Sequence, residues 1–210
     1  MPRTLITWGA ALGAGLFLSG SIAAHDFPAQ PRYLVENLGR GVVALRTSES
    51  AVYVGWRLLG TDPSGLAFNL YRASGDGPPA RLNSAPLLTT TDFVDTSADP
   101  SVVNTYTVRP VLKGTELAAS TPFVLAANAP VQQYLTVPLQ RPAGGNVEVP
   151  EGSPTSAFTY SPNDTSAADL DGDGEYELIV KWDPSNTRDN SQTGLSARQL
   201  IDAYRLDGTL

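Results

Sequence analysis

Cysteine is absent from this 210-residue sequence, histidine occurs once, as His25, and lysine only as Lys113 and Lys181. Without cysteine no disulfide staples the fold. With one histidine and no thiol, neither a Ser-His-Asp triad, nor a zinc site, nor a Cys-His pair can be assembled. Any proton transfer falls to Lys, Arg, Tyr or a carboxylate. Positive charge is also scarce, at 14 Lys and Arg against 21 Asp and Glu. No basic stripe and no interleaving of aromatic with basic residues is present, which excludes nucleic acid as a partner.

What the chain has is acid, concentrated at one end. Residues 163–210 hold ten acids and four bases, six of the seven net negative charges. At the centre of that segment, 169–177 reads DLDGDGEYE, with carboxylates at alternate positions and glycines at the fourth and sixth. Calcium takes six to eight oxygen ligands at roughly 2.3–2.6 Å, which a short loop supplies only if alternate side chains point inward and glycine permits a sharp turn. Asp169, Asp171 and Asp173 meet that demand and Glu177 closes the ring; Glu175 contributes its side chain or its backbone carbonyl. An EF-hand is excluded, because the twelfth position from Asp169 is Val180 and not glutamate. The strand-like run YELIVKW over 176–182 follows. The expectation is a nine-residue Ca2+ loop joining two strands. The alternative is a solvated acidic turn of the Asp-Gly type.

The amino terminus carries a different signal. Arg3, an apolar run rich in Ala, Gly and Leu over 5–24, and the small residues Ser21, Ala23 and Ala24 predict an export signal over 1–24, cleaved before His25. An uncleaved anchor of the same length is the alternative. The expected location is secreted, extracellular or periplasmic, with no membrane association after cleavage. Calcium at extracellular concentrations would then stand in for absent disulfides as a stabiliser.

Over 31–128 the pattern is all-β. Val52, Val54 and Trp56 alternate with Tyr53, Gly55 and Arg57, and the alternation recurs over 68–72 after a turn at 61–65. Further strands are predicted over 41–46, 92–95 and 105–111. Seven short strands in about 100 residues is the size of an immunoglobulin or fibronectin type III sandwich. Trp56 is expected in its core and Tyr106 as a tyrosine corner; stacking of either aromatic on carbohydrate is the alternative. Over 129–155 the prolines at 130, 138, 142, 150 and 154 and the pair Gly144-Gly145 predict a linker plus one strand at 134–139. Beyond it, 156–210 reads as strand, acidic loop, strand, polar loop at 183–194, strand over 200–205, and a hairpin turn at Asp207-Gly208. That is about one blade of a β-propeller, of which four to eight are required.

The run YSPNDTS at 160–166, the acidic loop, LIVKWDPSN at 178–186, DNSQ at 189–192 and IDAY at 201–204 resemble the rhamnogalacturonan lyases of polysaccharide lyase family 11. Upstream, GVVA at 41–44 and GWRLLGTD at 55–62 are similar to that family's amino-terminal module. The resemblance implies a fibronectin type III-like domain, the start of a calcium-binding propeller, and cleavage of pectic rhamnogalacturonan I by β-elimination at galacturonate. Such elimination needs a base for the C5 proton and a cation, Arg or Lys to neutralise the neighbouring carboxylate. The catalytic residues are expected beyond Leu210, so this chain alone is expected to be inactive, with Leu178, Val180 and Trp182 exposed on one side of its blade and Ile179 on the other. Lys181, inside a strand, is expected to be structural.

Strand direction separates two ends of the blade. If one strand runs down to the acidic loop and the next returns, Asn163 and Asp164 meet Asp183 and Asn186 at the end opposite the cation. These four are the substrate candidates, or else turn formers, with Asp164 suited to a sugar or a second cation. A noncatalytic calcium-dependent adhesion propeller and a carbohydrate-binding sandwich are the competing functions.

Overall fold

A computed structural model of the chain describes residues 36–148, 151 and 155–210. The expected export segment, His25, Pro150 and Pro154 lie outside the described residues. Among the described residues every regular element is a strand, and no helix is long and apolar enough to cross a membrane.

Eight strands form two facing sheets: β1 (Val43–Ser48), β2 (Ala51–Gly55), β3 (Ala67–Ser74), β4 (Ala80–Arg81), β5 (Asp92–Asp95), β6 (Asn104–Leu112), β7 (Thr115–Glu116) and β8 (Phe123–Leu125). One sheet has the order β1-β2-β5; the other has β4-β3-β6-β7, with β8 also on β6. All pairings are antiparallel. Period-2 burial explains the core: Val52 and Val54 of β2 and Tyr106 and Val108 of β6 face inward while their neighbours face out. Trp56 is buried as expected and meets Phe68 edge-on, with ring centroids 5.7 Å apart.

Tyr106 is not a tyrosine corner. Its hydroxyl donates to the carboxylate of Asp95 at 3.0 Å, and Arg72 donates to the same carboxylate. Asp95 lies on the β1-β2-β5 sheet, and Arg72 and Tyr106 lie on the opposing one. The buried carboxylate therefore ties the two sheets together, and burial pushes the Tyr106 hydroxyl well above its ordinary pKa.

Five strands follow: β9 (Gly145–Asn146), β10 (Ala157–Phe158), β11 (Tyr160–Ala168), β12 (Glu177–Pro184) and β13 (Leu200–Tyr204). β9 and β10 make a small ribbon, and the other three form an antiparallel sheet in the order β11-β12-β13. A propeller blade has four strands; this sheet has three. The strand expected at 134–139 does not form. Proline 138 has no amide to give to a ladder, and the segment is held by other bonds, from Gln132 N to Arg46 O at 2.9 Å and from the Tyr204 hydroxyl to Gln140 O at 3.1 Å. It places Val137 against a second core of Tyr160, Val180, Trp182 and Tyr204. The exposure expected for Val180 and Trp182 is thus corrected, each being 1% exposed. On the other face Ile201 is 71% exposed.

Burial raises the Asp95 carboxyl pKa, but the hydrogen bonds from Ser97 and Arg72 outweigh it and hold the group below its ordinary value. A depressed folded pKa stabilises above the unfolded value of about 3.9 and is lost as pH falls through the folded one. The thermal midpoint of the sandwich is therefore expected to drop steeply below about pH 4, and Asp95→Asn to flatten that acid limb in melts followed by circular dichroism. Asp95→Ala, which strands Arg72, is expected to cost about 3 kcal/mol at neutral pH.

Candidate functional site

β11 and β12 form a hairpin whose two ends carry different chemistry. At one end lies the acidic loop. Asp169 Oδ1 and Oδ2 accept from the amides of Gly172 at 2.8 Å and Gly174 at 3.1 Å, folding the loop back on itself. Gly174 sits at φ 91°, a backbone conformation costly for any residue with a Cβ. A Cβ there would also lie 2.9 Å from Gly39 N. The fold gathers oxygens of Asp169, Asp171 and Glu177 to within 4.8 Å of one another. Glu177 is 6% exposed, and one of its oxygens accepts from Leu170 N at 2.8 Å. Among the described residues no ion pair reaches it.

The other two acids of the loop are turned elsewhere. Asp173 stands outside the gathered trio, and Arg205 Nη2 lies 3.6 Å from it and 2.6 Å from Asp171, so the guanidinium also sits on one member of the trio. Glu175 pairs with Arg57 of the sandwich at 3.4 Å. Burial pushes the Glu175 carboxyl up from its ordinary pKa, against the opposing pull of Arg57 and the Gly41 amide. A side-chain ligand role for Glu175 therefore does not match this geometry. Three hard oxygen donors, one of them a buried carboxylate without a counter-charge, suit a divalent cation of the calcium type. Asp169, Asp171 and Glu177 are the residues that would hold it.

The opposite end of the hairpin brings together Asn163, Asp164 and Asp183. Asn163 Nδ2 donates to Asp183 Oδ2. Lys181 Nζ lies 3.3 Å from Asp183 and 3.7 Å from Asp164. The register that pairs Ser161 with Asp183 across a bulge at 162–165 is what lifts Asn163 and Asp164 to this edge. Asp183 Oδ1 is buried and accepts no hydrogen bond, although the lysine charge is close. Asn186 is apart from the group: its side chain donates to Ser156 Oγ at 2.9 Å and accepts from Ala197 N at 3.0 Å, which pins the 186–197 loop. Lys181 is the member of this cluster that strand membership concealed. With Val180 and Trp182 inward, alternation along β12 alone points it outward.

Comparison with known proteins matches these features to one family. A model described as "Rhamnogalacturonan I lyases beta-sheet domain" matches residues 33–125, and one described as "Rhamnogalacturonan lyase family 11, C-terminal domain" matches residues 134–210. The chain belongs to the rhamnogalacturonan lyases of family 11. It is 49% identical over 175 residues to rhamnogalacturonan endolyase YesW of Bacillus subtilis (strain 168), covering 83% of this chain and 25% of that protein. It is 45% identical to rhamnogalacturonan exolyase YesX of the same organism, covering 83% of this chain and 26% of that protein. The Bacillus licheniformis rhamnogalacturonan lyase PL11 structure superposes with a TM-score of 0.66 at 48% identity, over 83% of this chain and 27% of that one. The chain thus spans about a quarter of the length of the curated relatives it matches.

The exposed cluster and the loop-pinning asparagine are expected to separate in stability measurements. Asn163→Ala removes an exposed polar contact and should change urea-unfolding free energy by under about 1 kcal/mol. Asn186→Ala strands two partners and should cost about 1–2 kcal/mol.

Proposed function

We propose that this chain is part of a secreted rhamnogalacturonan lyase that cleaves the rhamnogalacturonan I backbone of pectin by β-elimination at galacturonate. In this reading β11, β12 and β13 begin the first blade of a calcium-binding propeller, and the amino-terminal sandwich is of fibronectin type III type. The observation that carries it is the meeting of Asn163, Asp164 and Asp183 around Lys181 at an exposed edge, in a chain nearly half identical to two lyases. Two carboxylates and one ammonium leave that edge with a net negative charge. It is therefore suited to sugar hydroxyls, with the exposed Asn163 and Asp164 as the groups that reach them, and not to the galacturonate carboxylate. Neutralising that carboxylate and accepting the C5 proton fall to groups that further blades would supply. A bound calcium would supply charge neutralisation in the acidic loop at the far end of the hairpin, where its part is structural.

In an active protein carrying this chain, alternating rhamnose and galacturonate should be cut to products with the ultraviolet absorbance of an unsaturated uronate, and homogalacturonan should not. Equal action on both polymers would defeat the proposal. Asn163→Ala should lower kcat/KM about tenfold, the loss of a hydrogen bond worth about 1.4 kcal/mol, without changing calcium affinity.

Calcium at a hundredfold excess over Kd should stabilise the protein by about 2.7 kcal/mol. Asp171→Ala should remove that gain. Calorimetry with millimolar calcium that detects no binding in the wild-type protein would reject the loop as a cation site.

A further inference from the structure

We propose that Arg57 is a positioning residue for the cation loop, so that cation binding at Asp169, Asp171 and Glu177 is coupled to docking of the sandwich on the β11-β12-β13 sheet. The inference rests on the calcium reading above and extends it across the boundary between the two β units. Arg57 lies just after β2, more than a hundred residues before the loop. Its Nη1 donates to Gly174 O and Gly39 O, each at 3.3 Å. The same nitrogen pairs with Glu175 at 3.4 Å, and the guanidinium lies 4.5 Å from the centre of the Tyr176 ring. Beside it Gly39 N donates to Gly174 O at 2.6 Å. The second half of the loop is therefore fastened to the sandwich, and its first half and its last residue carry the gathered carboxylates.

This arrangement sets the sign of the effect. Three acids brought within 4.8 Å repel one another, and a flexible loop would have to be ordered against that repulsion when the cation arrives. Fixing Gly174, Glu175 and Tyr176 beforehand removes part of that ordering cost. Because Glu175 neutralises Arg57, the clamp adds no net positive charge next to the site. If Arg57 acted through its charge alone, removing it would tighten cation binding; if it acts by positioning, removing it weakens binding. Linkage then requires the reverse effect as well, with the bound cation strengthening the sandwich contact by the same factor.

The test uses calcium titrations by calorimetry on the full chain, with wild type, Arg57→Ala, Arg57→Lys and Tyr176→Leu. Arg57→Ala is expected to weaken calcium affinity at least about fivefold, the lower end of typical coupling, and Arg57→Lys to recover only part of the loss. Hydrogen exchange supplies the reciprocal measurement. Calcium should slow exchange over 37–41 and at the Arg57 amide in wild type, and should not in Arg57→Ala or Asp171→Ala. Equal or tighter calcium binding in folded Arg57→Ala overturns the coupling while leaving the cation site standing, as does wild-type binding with unchanged exchange over 37–41. Should Arg57→Ala fail to fold, unaltered affinity in both Arg57→Lys and Tyr176→Leu overturns it equally. Absence of calcium binding in wild type overturns the cation site and the coupling together.

Discussion

Five carboxylates within nine residues cannot share one turn unless their charges are dealt with, and the structure deals with them in three directions. Asp169, Asp171 and Glu177 converge. Arg205 draws on Asp171 and Asp173 from the end of β13. Arg57 takes Glu175 from the sandwich. Each direction fixes something different: the convergence closes the β11-β12 hairpin, Arg205 holds the third strand's exit beside the loop, and Arg57 joins the two β units. Repulsion that would open an isolated loop thus becomes the reason that three separate elements meet there.

The sandwich is organised on the same pattern at a smaller scale. A single buried carboxylate, Asp95, accepts from Arg72 and Tyr106 on the facing sheet and so pins the two layers where apolar packing alone would let them slide. The bidentate pair of Arg40 with Asp62 orders the turn after β2 and sets Arg40 over the Phe68 ring, beside the segment that leads to Arg57. In both units a charge is placed where its loss would uncouple elements that hydrophobic contacts do not fix in register.

Local pattern made the strands legible. Alternation located β2, β3 and β6 to within a few residues and put Trp56 inside, because period-2 burial is a property of contiguous sequence. The acidic loop and the two ends of its hairpin were legible for the same reason. Partners distant in sequence were not. Tyr106 was expected to bond backbone nearby and instead meets Asp95; Glu175 was expected to offer a cation its side chain or its carbonyl, and the side chain faces Arg57; Val180 and Trp182 were expected to be open and instead pack with Val137. A strand was expected at 134–139, but its proline and its packing on the second core decided otherwise. Lys181 could have been found, since its neighbours' inward direction fixes its own.

The separation of the hairpin's two ends decides how far the charge of one is felt at the other. Glu177 and Asp183 are six residues apart on β12, about 20 Å at the rise of an extended strand. That is more than two screening lengths at physiological ionic strength, where the Debye length is about 8 Å. Most of the charge in the acidic loop is therefore invisible at the Asn163 edge, even before any cation neutralises it. The field at that edge is set by Asp164, Lys181 and Asp183, only one unit negative in sum. A hairpin long enough to screen its own loop lets one β-sheet combine a dense anionic turn with an edge whose charge is nearly balanced.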